Sequence, residues 1–145
     1  MSFVSRNEHY ENVVRACLSG QPFTNMVGAS IVHLAPGEVD LACDWRDDLT
    51  QQHGYFHAGV TSGMADTSAG FAALSLFEPN REVLTTEFKI NLVAPGLGAQ
   101  MIARGRVIKP GRTLTACKSD VFAKTGEKET LIATGLFTMM QLAPR

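Results

Sequence analysis

No run of about eighteen apolar residues occurs anywhere in the 145-residue sequence, which argues against a membrane-spanning helix. The opening MSFVSRNEHYENVV carries charges where a secretory signal has its apolar centre, so a cytoplasmic protein is expected. Cysteine is scarce. Cys17, Cys43 and Cys117 are odd in number, far apart and without CxxC spacing, which indicates neither a disulfide framework nor a zinc knuckle. Neither sign of charge dominates: 13 Lys and Arg stand against 14 Asp and Glu, for a net charge of −1. The basic residues are scattered, so no footprint for nucleic acid or an anionic membrane is present. A GxSxG elbow, a P-loop and a dinucleotide fingerprint are absent too. What remains is 45% hydrophobic content in a chain long enough for one real core and too short for two. A single domain over 1–145 is expected, with a helical segment over about 1–22.

The most informative stretch is QQHGYFHAGVTSGMADTSAGFAA at 51–73. Val60, Met64, Thr67, Phe71 and Leu74 recur at spacings of four and three, which predicts a helix over about 57–77 with one apolar stripe. At about 100° per residue, Asp66 lies about 120° from that stripe, among Gly59, Ser62, Gly63, Ala69, Gly70 and Ala73. Each glycine costs such a helix roughly 1 kcal/mol against alanine, so tertiary packing must hold it. The small residues would let another backbone or a ligand come close to the Asp66 carboxylate.

Around this helix the remaining elements follow from local signals. A first helix is expected over 6–19, stopped by Gly20 and Pro22. Strands at 28–33 and 39–45 flank a turn containing Pro36 and Gly37. After the central helix the period changes to two. Leu84, Thr86, Phe88, Ile90 and Leu92 alternate with Thr85, Glu87, Lys89 and Asn91, which predicts a strand with one buried and one wet face. Further strands at 100–109, 113–124 and 130–142 are separated by short turns, KPGR at 109–112 and TGE at 125–127, so an antiparallel meander is expected. One long helix on one face of a curved antiparallel sheet is an α+β solution.

In that context the chain resembles the hotdog-fold acyl-CoA thioesterases of the phenylacetate-pathway, PaaI-like family. The resemblance is carried by G-x-x-H-A-G-V at 54–60, MADTSAG at 64–70 and TTEFKINLVAPG at 85–96, in that order. It implies that Asp66 is the catalytic carboxylate and that the backbone N–H of Ala58, with that of Gly59, polarises the thioester carbonyl. It implies further that Gln51 stands where the family commonly has Asn near the attacking water, and that Thr85 supplies a hydroxyl that helps place that water. His57, Ala58 and Gly59 replace the family's usual HGG. Strict alternation puts Thr85 on the Glu87 face of its strand. In the resembled family two protomers join their sheets edge to edge and share active sites. A homodimer, doubled to a homotetramer, is therefore implied, with few bulge or proline signals to protect the strand edges.

The chemistry is consistent with those residue types. A thiol has a pKa of about 8.5, so a thiolate leaves with little acid assistance. Thioester cleavage then needs a carboxylate, as general base or as nucleophile, and an oxyanion site such as a helix N-terminus. No metal and no organic cofactor is expected. His53 and His57 have i, i+4 spacing, but no third ligand is apparent and Gly54 falls between them; His57 alternatively caps the helix. Gly54, Phe56 and Met64 are expected at the substrate pocket, and Lys109 and Arg112 either meet CoA phosphates or merely form a hairpin turn. Two rivals share these residues: a hotdog dehydratase or hydratase using His57 and Asp66 beside the same carbonyl, and a non-catalytic acyl-CoA-binding protein.

Overall fold

The computed structural model describes residues 2–144, in which one long helix lies across a six-stranded antiparallel sheet. The chain begins with α1 (Tyr10–Gly20) and a six-residue helix α2 (Pro22–Val27), then β1 (Ser30–Ala35) and β2 (Glu38–Asp44). The central helix α3 (Ala58–Leu74) is followed by β3 (Glu82–Leu92), β4 (Gln100–Lys109), β5 (Leu114–Thr125) and β6 (Lys128–Leu142). The first helix starts four residues later than its pattern suggested, because Asn7 holds a turn in which its Oδ1 accepts the His9 N–H at 2.9 Å. Pro22 does not end helical structure there; it opens α2 at the N-terminal position where a missing N–H costs nothing.

The strand order is β1-β2-β4-β5-β6-β3. Thus β4, β5 and β6 form the expected meander, whereas β3 leaves it and pairs with β6 at the far edge. Met64, Phe71 and Leu74 of α3 are buried against Leu41, Met101, Val121, Phe137 and Met139 of the sheet, and each such side chain contributes about 1.5–3 kcal/mol on full burial. The helix sits close. A methyl group built on Gly105 of β4 would lie 2.2 Å from the Ser68 carbonyl oxygen, and beside it Ser68 Oγ and Ser119 Oγ are hydrogen-bonded at 2.8 Å, both buried. Gly105 therefore permits the helix backbone to rest directly on the sheet.

Strand β3 corrects two expectations. The apolar residues expected on its buried face are not buried in the protomer: Leu84, Phe88 and Leu92 are 50%, 49% and 54% exposed. Nor is its alternation strict. The register slips between Thr85, which faces Met139, and Glu87, which faces Thr138, so Thr86 is the extra residue of a β-bulge. Before the bulge Val83 and Thr85 point to the helix side, and after it Phe88 and Ile90 do, opposite Phe137 and Gly135.

Candidate active site

The N-terminus of α3 is built by a tight loop. Gln51 N–H donates to Tyr55 O and Gly54 N–H to Gln51 O, both at 3.0 Å, while the Gln51 side-chain oxygen accepts the His53 N–H. Gly54 makes the turn at φ 82°, a left-handed conformation that disfavours a side chain. Phe56 N–H then reaches Gly96 O at 2.8 Å and His57 N–H reaches Leu49 O at 2.9 Å, which fixes where the helix starts. His57 is its N-cap: Nδ1 accepts the Gly59 N–H at 2.8 Å, so the ring proton of a neutral His57 lies on Nε2. Among the described residues no acceptor engages the Ala58 N–H.

Two turns further along, Asp66 is half-buried and opens into a cavity of about 420 Å³. Gly59, Gly63 and Gly70 form its helix side, Val83 and Thr85 its strand side, and Phe23 of α2 closes one wall. The small-residue face of α3 thus leaves the space that its glycines imply, while Ala69 and Ala73 are turned into the core. Thr85 Oγ1 donates to Asp66 Oδ1 at 2.6 Å. The bulge at Thr86 puts the Thr85 hydroxyl there, on the side opposite to that given by strict alternation. Burial raises the Asp66 pKa above the ordinary aspartate value, and the Thr85 hydrogen bond opposes that rise. No cation forms an ion pair with Asp66 among the described residues.

The other expected residues lie elsewhere. Gln51, Phe56 and Ala58 line a separate cavity of about 160 Å³ with Pro95, Gly96 and Ile132. Ala58 and Asp66 stand eight residues apart on α3, about 12 Å along the axis at about 1.5 Å per residue. Met64, expected at the pocket, is fully buried in the core and lines neither cavity. The turn carrying Lys109 and Arg112 packs its Pro110 and Gly111 near Leu76 and Phe77, beyond the opposite end of α3, and does not reach the Asp66 cavity. His53 and His57 belong to no group of three or more His, Cys, Asp or Glu able to hold a metal among the described residues. No helix among the described residues is long and apolar enough to cross a membrane. Sequence reasoning missed Phe23, whose only local signal is an aromatic residue after Pro22 in a segment that reads as a helix stop.

Comparison with known proteins agrees with this architecture. The model of the thioesterase superfamily matches residues 53–130, which contain the α3 residues of both cavities. A thioesterase family protein from Silicibacter pomeroyi is 42% identical, with a TM-score of 0.90 over 92% of this chain and 98% of that one. Human acyl-coenzyme A thioesterase 13 is 26% identical over 136 residues, 92% of this chain and 95% of the human one. The PaaI protein of the phenylacetic acid degradation operon of E. coli shares the fold, with a TM-score of 0.85 at 14% identity over 97% of this chain and 98% of that one.

Proposed function

This chain belongs to the thioesterase superfamily, a hotdog-fold member of PaaI-like type and a thioester hydrolase, and from that premise we propose that it hydrolyses acyl-CoA through Asp66. The observation that carries the reading is the state of that carboxylate: half-buried, without a cationic partner among the described residues, held by one hydroxyl and open to a cavity. In the scheme Asp66 takes a proton from water as the water oxygen attacks the thioester carbon. The carbon–sulfur bond then breaks and CoA leaves as thiolate, giving free acid. Direct attack by Asp66, forming an anhydride that water then cleaves, uses the same ionised carboxylate. Small aryl and short- or medium-chain acyl groups are the proposed range. Lys109 and Arg112, unpaired among the described residues, are the proposed cations for the CoA phosphates. Free CoA released from a panel of acyl-CoA esters tests the reading; no release above background across the panel would overturn it. The dehydratase rival needs His57 free beside Asp66, whereas here Nδ1 of His57 is committed to the helix cap.

The oxyanion donor in this scheme is the Ala58 N–H of a second copy of the chain. One reacting carbonyl has to sit about 3 Å from the N–H donor and within reach of the carboxylate, directly or through one water, and within one chain Ala58 and Asp66 are about 12 Å apart along their shared helix. The half-exposed β3, with Leu84, Phe88 and Leu92, is the edge where a twofold partner would add its own β3. The bulge at Thr86 lies in this edge strand, contrary to the expectation that its strands carry few bulges. A mixed dimer refolded from an Asp66→Ala chain and a chain altered within 51–58 should regain one intact site of its two. Absence of any regain, or full activity from a monomer in light scattering, would refute the shared site.

Because the active carboxylate is the ionised one, kcat/KM should fall on acidification with a midpoint above the ordinary aspartate value, following the raised pKa of Asp66. Thr85→Val removes the hydrogen bond that favours the charged form, so the acid limb should move to higher pH. A pH–rate profile of the two proteins checks both signs. An unmoved limb would assign the titration to another group.

A further inference from the structure

We propose that Phe23 is a specificity-determining residue of the Asp66 cavity, its ring over Gly63 setting the size of acyl group that the site admits. The proposal rests on the thioesterase reading of Asp66. A methyl group built on Gly63 would meet Phe23 Cζ at 2.5 Å, so the ring lies against bare helix backbone and forms the cavity wall there. This ring is held from outside the site. Helix α2 is closed by Gly28 in the left-handed conformation, at φ 73°. Buried Thr24 places its hydroxyl 2.8 Å from Leu18 O and 3.0 Å from Gln21 O, and the Asn25 side chain donates to Ser19 O at 2.9 Å. Arg46 donates to Met26 O at 2.9 Å and ties the other end. Bonds from Thr24 and Asn25 to the backbone of α1, and from the Arg46 side chain to the Met26 carbonyl of α2 itself, therefore fix a short helix whose one aromatic side chain enters the cavity.

The chemistry of the walls assigns the acyl end of the substrate to this space. Among the described residues the one charged side chain lining it is Asp66, an anion, which repels the phosphates of CoA. Glycine, valine and phenylalanine surfaces instead suit an alkyl or aryl group, whose burial is favoured in proportion to its apolar area. Phe23 then limits how far such a group extends past the carboxylate.

The test is the chain-length profile of kcat/KM over straight-chain and aryl-acyl CoA esters for wild type, Phe23→Ala and Phe23→Leu. In Phe23→Ala the optimum should move to longer or bulkier groups, with a gain of about fourfold per added methylene accommodated. The gain should fall mainly in KM, since Asp66 and Thr85 are unchanged. Phe23→Leu, which keeps a core-compatible side chain, should shift the optimum less and guards against misfolding of the alanine variant. A second measurement avoids turnover altogether: binding of 2-alkanones from five to eleven carbons, followed by ligand-observed NMR, should show the same displacement of the preferred length. Unchanged profiles in both folded variants, in both assays, would overturn the assignment. If wild type releases no CoA from any ester, the thioesterase reading fails on its own, and the ketone titration still decides the role of Phe23.

Discussion

Replacing Asp66 by asparagine should lower kcat by about 10²–10⁴-fold, the usual contribution of a positioned general base, and leave the protein at least as heat-stable as before. Asparagine retains the shape and an oxygen that can accept the Thr85 hydroxyl proton, but it can neither take a proton from water nor attack a carbonyl. The stability half of the expectation follows from linkage. Burial raises the folded-state pKa of Asp66 above its unfolded value, so the contribution of this group is fully present below the unfolded pKa and is lost as pH rises through the folded one. At neutral pH the ionised side chain therefore costs stability, and the neutral amide removes that cost. The Tm of Asp66→Asn should equal or exceed that of wild type at pH 7, and the difference should vanish below about pH 4. Turnover numbers on the best ester, set beside thermal melts at both pH values, check the pair of effects. A variant with wild-type kcat would sink the catalytic role. One with a lowered Tm at neutral pH would make Asp66 a structural residue instead.

Gly105→Ala is expected to cost about 3 kcal/mol, at the upper end of ordinary overpacking, and to lower Tm by roughly 10 °C. The added methyl group would fall 2.2 Å from Ser68 O, 2.3 Å from Ser68 C and 2.6 Å from Ala69 N. These are backbone atoms of α3, so no side-chain rotation relieves the clash. The helix has to lift from the sheet, which also strains the buried Ser68–Ser119 hydrogen bond. Asp66 is two residues from Ser68 on the same helix, while its partner Thr85 is held by β6, so the lift pulls the 2.6 Å contact apart. Activity should consequently fall in whatever fraction folds. Gly20→Ala is the control, because nothing lies within 4 Å of a methyl group there. Equal melting temperatures for the two variants would show that the helix rests on the sheet less tightly than the geometry states.

The sequence by itself determined what depends on neighbours along the chain. The spacing of Met64, Thr67, Phe71 and Leu74 places α3 and its buried stripe, because side chains three and four apart share a helix face whatever the fold around them. The same periodicity puts Asp66 among glycines, and hence beside open space. Local chemistry likewise marks the turns and the capping histidine, and the motifs at 54–60, 64–70 and 85–96 carry the family.

What the tertiary structure alone decided is everything that depends on which strand lies next to which. Thr85 reaches Asp66 only because β3 pairs with β6 and slips one residue at Thr86; a bulge is a property of the ladder between two strands, and β3 alone gives no sign of it. The exposure of Leu84, Phe88 and Leu92 follows from the place of β3 at the sheet's edge rather than from its alternating sequence, since alternation reports that a strand has two unlike faces and is silent on what covers either one. The same holds for Phe23. Its ring meets Gly63 across forty positions of chain, and contacts of that range are fixed by how packed elements fit together, a condition that no local pattern encodes.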